Sequence, residues 1–155
     1  MSTGCHLFHI QIMMVQIGSW SLSHTLIKPI RYQVFVIEQQ IPETEEWDDG
    51  DLIATHALAF SKDLPVGTGR LIIDQEEPTH AKIGRMAVLE SFRSRGIGRA
   101  ILRKLIATGK EKGVQVLTLH AQVSAIPFYA SEGFISKGAI FDEVNIPHQK
   151  MYLKI

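Results

Sequence analysis

One stretch limits the available folds more than any other. From Arg85 to Arg99 the chain reads Arg-Met-Ala-Val-Leu-Glu-Ser-Phe-Arg-Ser-Arg-Gly-Ile-Gly-Arg. A β-type run ends in a glycine-containing turn that opens a helix, and the helix continues to about Lys112 with Ile101, Leu102, Leu105 and Ile106 on one face. Gly113 stops it, and Val114 to Gln122 reads as a strand. Two strands joined by one helix make a crossover that pairs them in parallel. The chain must therefore contain a sheet with at least one face covered by helix.

The rest of the pattern extends that sheet. His9 to Ile17 alternates as a first strand, and a helix begins near Thr25 with Ser23 as its cap and Pro29 interrupting it. Ile30, Val34, Phe35 and Ile37 carry an apolar helical face up to Glu38-Gln39. Ile53 to Phe60 and Val66 to Ile73, joined by Ser61-Lys62-Asp63-Leu64-Pro65, predict a hairpin, and Lys82 to Leu89 a further strand. Ser124 to Glu132 predicts a short helix stopped by Gly133, and Phe134 to Ile140 and Pro147 to Ile155 the last two strands. The fold class expected is α+β: a central mixed, mostly antiparallel sheet flanked by helices in three layers, with one βαβ crossover. At 155 residues, 45% apolar and 21% charged, this reads as a single domain over 1–155, with 1–13 as an N-terminal extension.

Charge and cysteine count narrow the function. Sixteen basic side chains balance sixteen acidic ones, so no global field recruits nucleic acid or an anionic membrane. Cys5 is the single cysteine, which leaves no internal disulfide and no cysteine zinc cluster, in keeping with a cytoplasmic protein. No secretory leader and no run of about 20 apolar residues is legible. His6, His9, His24, His56 and His80 have no metal-ligand spacing, so no metal is expected. From Glu43 to Asp51 the chain carries Glu43, Glu45, Glu46, Asp48, Asp49 and Asp51 around Trp47, and reads as an exposed acidic loop. Such a run is either a solvated loop or a means of steering cationic acceptors such as a lysine or polyamine.

The glycine turn admits a ligand. The first N–H groups of a helix lack intrahelical partners and carry the positive end of its dipole. Gly96 and Gly98 remove the side chains that would block an anion, and Arg93, Arg95 and Arg99 bring positive charge. A Walker loop is excluded because no Gly-Lys-Ser/Thr string occurs. A dinucleotide fingerprint fails too, since position 101 is Ile and the next strand ends in His120-Ala121-Gln122. On residues alone the turn is either a diphosphate cradle or a basic loop before an ordinary helix.

At this point the chain resembles the GNAT acetyltransferase superfamily. Arg93, Gly96 and Gly98 match its Gln/Arg-x-x-Gly-x-Gly/Ala loop, and Met86-Ala87-Val88 is similar to the strand that pairs with the pantetheine arm. Gln122-x-x-Ala125-x-x-x-Tyr129-x-x-x-Gly133-Phe134 resembles the family's Asn-x-x-Ala-x-x-x-Tyr-x-x-x-Gly-Phe, departing at Gln122. The likeness extends to the ElaA/YjcF-like group through Arg31 to Gln39, Val66-Gly67-Thr68-Gly69-Arg70, Leu119 to Gln122 and Ile146 to Met151, and spans residues from about 15 to 152.

The resemblance implies an N-acetyltransferase that moves an acetyl group from acetyl-CoA to a primary amine by direct attack in a ternary complex. An acyl-CoA-binding regulatory module without turnover is the alternative. It places coenzyme A against Met86, Ala87, Val88, Arg93, Ser94, Arg95, Gly96, Ile97, Gly98, Arg99 and Gln122, and an oxyanion donor at a backbone N–H near Val88. Tyr129 is the implied general acid, against a tyrosine merely packed by its ring. The base is His120, Glu38 or His148, and Cys5 is not needed as a nucleophile. Tyr32, Phe35, Glu38, Gln39, Trp47 and His148 are the acceptor-pocket candidates. An exposed sheet edge adds a homodimer to the expected partners.

Overall fold

A computed structural model describes residues 13–155. Residues 9–12 of the expected first strand, Cys5 and the expected extension lie outside the described residues, except Met13, which opens β1 (Met13–Gly18). Then come α1 (Trp20–Arg31), a π-helical segment (Tyr32–Glu38), and two single turns of helix, α2 (Glu43–Glu46) and α3 (Gly50–Ile53). Strands β2 (Thr55–Ser61), β3 (Leu64–Ile73) and β4 (His80–Val88) follow. Helix α4 (Ile97–Glu111) crosses to β5 (Val116–Gln122), and α5 (Ile126–Ser131) leads into β6 (Ile135–Glu143) and β7 (Ile146–Lys154).

The seven strands form one sheet in the order β1-β2-β3-β4-β5-β7-β6. Every neighbouring pair is antiparallel except β4 and β5. Helix α4 packs Ile97, Ile101, Leu102 and Leu105 onto one face of the sheet with Leu71, Ile83, Leu117 and Leu119. Each fully buried side chain of this kind contributes roughly 1.5–3 kcal/mol. On the other side Ile27, Ile30, Val34 and Phe35 pack with Leu58 and Ala87. The result is the three-layer mixed sheet expected from the sequence.

Two expectations need correction. Helix α1 starts at Trp20 after Ser19, not near Thr25 after Ser23, and runs through Pro29 to Arg31. The acidic run is exposed only in part: Glu43, Glu45, Asp48 and Asp49 face solvent, but the segment folds into α2 and α3, and Glu46 and Asp51 are only 2% exposed. The cause lies elsewhere in the chain. Arg31, 1% exposed, donates to Glu46 Oε1 and Asp51 Oδ1, both at 2.6 Å. Arg70 donates to Asp48 Oδ1 at 2.6 Å and Asp51 Oδ1 at 2.9 Å. Trp20 and Trp47 flank the Arg31 guanidinium at 5.6 and 5.0 Å. Buried charges survive only when paired and hydrogen-bonded, and these are.

The feature that positions the site is a parting of strands. β4 and β5 pair only over His80–Lys82 and Val116–Thr118. Beyond Lys82 they diverge, leaving the β5-side edge of Ile83–Val88 unpaired. A β-bulge sharpens the parting: the β3–β4 register slips between Thr68 and Arg70, and Arg85 sits at φ +51°. Gly69 lies opposite the bulge, where an added Cβ would come within 2.5 Å of Met86 Sδ.

Candidate functional site

Two cavities open along the parted edge. One, of about 620 Å³, lies over the start of α4 and is lined by Phe92, Arg93, Ser94, Gly96, Ile97, Gly98, Arg99 and Phe128. The other, of about 720 Å³, lies between β4, β5 and the first helices and includes Phe35, Gln39, Trp47, Arg85, His120 and His148. Met86, Ala87, Val88, Arg93, Ala125 and Tyr129 line both.

The first cavity is built from backbone. Gly96, at φ +82°, turns the chain into α4, a conformation that costs other residues about 1–2 kcal/mol. Ala100 N–H is the first in the helix to find a carbonyl, that of Gly96, and the amides of Ser94 to Arg99 make no backbone hydrogen bond among the described residues. A Cβ on Gly98 would stand 3.6 Å from Phe128 Cζ and fill the gap before the helix terminus. Unpartnered amides at the start of a helix, with no side chain in front of them, have the geometry to accept an anion. The arginines contribute less charge than their number suggests. Arg93 is bound by Glu38 through 2.8 and 2.9 Å hydrogen bonds, Arg99 Nε lies 2.8 Å from Glu132, and Arg95 stacks over the Phe92 ring at 5.4 Å rather than lining the cavity.

Tyr129 stands where the cavities meet. Its ring packs edge-on to Phe128 and Phe134, and it is 8% exposed. No hydrogen bond to its hydroxyl occurs among the described residues, and no side-chain polar atom there is both sealed and unpartnered, so the hydroxyl opens to the cleft. Burial pushes the phenol up to about 12. Across the gap, Leu89 N–H is directed to Val66 O on β3 at 2.9 Å. Alternation along a strand then turns Val88 N–H to the cleft side, where Val88 O already accepts from Arg93 Nε at 2.9 Å.

The second cavity holds a titratable cluster. His120 Nδ1 lies 3.1 Å from Glu143 Oε1 and 3.4 Å from Lys82 Nζ. A carboxylate accepts and an ammonium donates, so one nitrogen cannot satisfy both. The shorter contact fixes Nδ1–H on Glu143 and leaves Nε2 with its lone pair. His148 is 5% exposed; its Nδ1–H donates to Ile146 O at 2.7 Å, and its Nε2 lies 3.6 Å from Glu143 Oε2. Burial acts to raise Glu143, but the hydrogen bond from His120, the charges that His120 and His148 carry when protonated, and the charge of Lys82 outweigh it, and its carboxyl lies below the usual range. Burial holds Lys82 below an ordinary ammonium.

Several sequence candidates stand away from these positions. Glu38 lines neither cavity and is committed to Arg93; Tyr32 lines neither and is 40% exposed. Gln122 lines the second cavity, not the first, and exchanges amide hydrogen bonds with Gln39, the shorter at 2.9 Å. Trp47 lines the second cavity but also covers Arg31. Lys82, Arg85, Phe128 and Glu143 escaped the sequence reading. Only β6–β7 pairing, which sets Phe141 against His148 and brings the hairpin tip to β5, shows that Glu143 belongs here. Among the described residues no group of three or more His, Cys, Asp or Glu could hold a metal ion, and no helix is long and apolar enough to cross a membrane.

Comparison with known proteins gives this architecture its lineage. Residues 32–155 match the family model described as an acetyltransferase (GNAT) domain. The uncharacterized N-acetyltransferase YjcF of Bacillus subtilis is 33% identical over 123 residues, 79% of this chain and 86% of that one. The protein ElaA of Escherichia coli is 30% identical over 122 residues, 77% of this chain and 79% of its own. Its crystal structure superposes with a TM-score of 0.81, at 26% identity, over 91% of this chain and 99% of that one. An acyl-CoA N-acyltransferase from Pseudomonas aeruginosa shares the fold, with a TM-score of 0.79 at 24% identity over 91% and 99% of the two chains. With the crossover, the glycine turn and the parted strands all in place, the chain belongs to the GNAT acetyltransferase family, in its ElaA/YjcF-like group.

Proposed function

We propose that the chain is an N-acetyltransferase that moves an acetyl group from acetyl-CoA to a primary amine of a small molecule or peptide by direct attack in a ternary complex in the cytoplasm. The observation that carries this reading is Tyr129: a buried phenol, free of protein partners among the described residues, at the junction of an anion cradle and a second cavity.

Each step has a group. The acceptor arrives as an ammonium of pKa roughly 10 and must lose a proton before its nitrogen can attack. His120 Nε2, with Nδ1–H held by Glu143, is the base that best fits the cavity. His148 Nε2 is the second choice, and Glu38 is unsuited because Arg93 occupies its carboxylate. As the N–C bond forms and the C–S bond breaks, Val88 N–H supports the carbonyl oxygen. Tyr129 O–H supports the departing sulfur. A phenol near 12 is a weaker acid than an alkyl thiol, so full transfer of its proton to the departing thiolate is uphill. Its contribution is therefore a strong hydrogen bond in the transition state, with solvent completing the protonation. The elevated value also keeps the phenol protonated at any working pH.

The test is CoA release measured with acetyl-CoA and a panel of amines, on the parent and on Tyr129→Phe. Release dependent on both substrates, falling about 10²-fold or more in kcat for Y129F, supports the reading. Binding of acetyl-CoA without amine-dependent release would instead identify an acyl-CoA-binding module, and unchanged turnover in Y129F would remove Tyr129 from the chemistry.

A further inference from the structure

Charge accounting in the second cavity reverses the expectation of a cationic acceptor. Of the six carboxylates in the acidic run, three are already taken, and Glu43, Glu45 and Asp49 are exposed. Glu46 is bound by Arg31 and Arg85, Asp48 by Arg70 and Arg85, and Asp51 by Arg31 and Arg70. Three guanidiniums meet three carboxylates, and this wall has no negative charge to spare. Glu143 faces Lys82 as well as His120 and His148. Glu45, the other lining carboxylate, is exposed and screened by solvent.

Two cationic groups retain capacity. Lys82, exposed at the cavity rim, has no carboxylate within 4.0 Å of its Nζ among the described residues, and its near neighbour, His120 Nδ1, is turned to Glu143. Arg85 is the loosest of the three arginines: its Nε and Nη2 contacts span 3.1–3.5 Å, and its Nη1 makes no hydrogen bond among the described residues. Its backbone is also strained, at φ +51° on the bulge, a conformation that recurs at functional positions. Both side chains leave β4 into the same cavity. Burial lowers both from their ordinary values; Glu143 opposes that shift at Lys82 and Glu46 opposes it at Arg85, while Arg70 depresses both, so the nearby carboxylates leave each cation short of its ordinary value.

We infer that the acceptor carries, besides its reacting amine, an anionic group, a carboxylate or a phosphate, held by Lys82 Nζ and Arg85 Nη1. The inference rests on the acetyltransferase reading and narrows its acceptor. The site selects amino-acid-like or phosphoamine-like acceptors and disfavours polyamines, because a second ammonium would meet Lys82 where Glu46 and Asp48 are already paired and Glu45 is turned to solvent.

The experiment uses the full chain, with acetyl-CoA binding followed by calorimetry and transfer by CoA release. Its acceptors are α- and ω-amino acids beside their carboxamides, O-phosphoethanolamine for the phosphate arm and a diamine for the cationic arm. The expected result is kcat/KM about tenfold or more higher for an anionic amine than for its carboxamide, with the diamine poorest. Lys82→Met lowers that ratio about tenfold and Lys82→Arg restores most of it, while acetyl-CoA binding reports that both variants are folded. A ratio near one, a ratio unmoved by K82M, a preference for the diamine, or transfer only to amines outside this set overturns the inference. Failure to bind acetyl-CoA, or binding with no transfer to any amine, overturns the acetyltransferase reading itself.

Discussion

Replacing Asp51 by Asn tests the most consequential difference between sequence and fold. Asp51 Oδ1 accepts from Arg31 Nη1 at 2.6 Å and from Arg70 Nη1 at 2.9 Å, with its side chain 3% exposed. Asn keeps the shape but removes the charge and places an N–H₂ or a neutral carbonyl against two guanidiniums. Breaking a buried ion pair from one side costs about 3–5 kcal/mol. Each arginine keeps one other carboxylate, Glu46 for Arg31 and Asp48 for Arg70, so the lower end applies. About 3 kcal/mol is expected in urea unfolding at pH 7, or roughly 6–12 °C in Tm for a chain of this size. Glu45→Gln, six residues earlier in the same acidic run but exposed, is the control and should stay within about 0.5 kcal/mol. If the two substitutions cost the same, the run is a solvated loop and the packing argument fails. Acid should weaken the same network. The Arg70 hydrogen bond lowers Asp48 from 3.8 to about 2, so its contribution is complete above pH 4 and lost as pH falls toward 2. With 42% of its side chain exposed, that loss stays below about 1 kcal/mol.

Other outcomes follow from the site. Glu143→Gln should lower kcat/KM for the acceptor about tenfold with acetyl-CoA KM unchanged, and Glu143→Asp should recover part of it, because Glu143 acts by orienting His120. His120→Ala should cost more than His148→Ala in kcat, measured at saturating acetyl-CoA; the reverse order would move the base to His148. Gly98→Ala has room for its methyl beside Phe128 and should leave Tm nearly unchanged while weakening CoA binding about tenfold by calorimetry. Gly96→Ala, at φ +82°, should also lose about 1–2 kcal/mol of stability.

The sheet and its crossover were legible because they follow from local rules. Strand alternation marks Leu117, Leu119 and Ala121 as inward and His120 as outward, and the structure agrees. The glycine turn and Tyr129 were legible because each lies within one continuous motif. What escaped depends on distance along the chain. Nothing near Glu46 or Asp51 announces that Arg31 and Arg70 will bury them, and Glu143 joins His120 only through the β6–β7 hairpin. Tyr32 and Glu38 line neither cavity. They came from the family resemblance, which carries no local geometry, and the segment is π-helical: Gln39 N–H bonds to Val34 O, five residues back, with Tyr32 40% exposed and Phe35 buried.

The shared wall of the two cavities sets a limit on kinetic dissection. Arg93 binds β4 through Val88 O and the π segment through Glu38 while facing both chambers, and Tyr129 touches both as well. On the acetyltransferase reading, a substitution at either residue should shift the apparent affinity of donor and acceptor together, whichever it was meant to probe. Only side chains private to one chamber can separate the two, such as Ser94 and Phe128 on one side or Gln39 and Lys82 on the other.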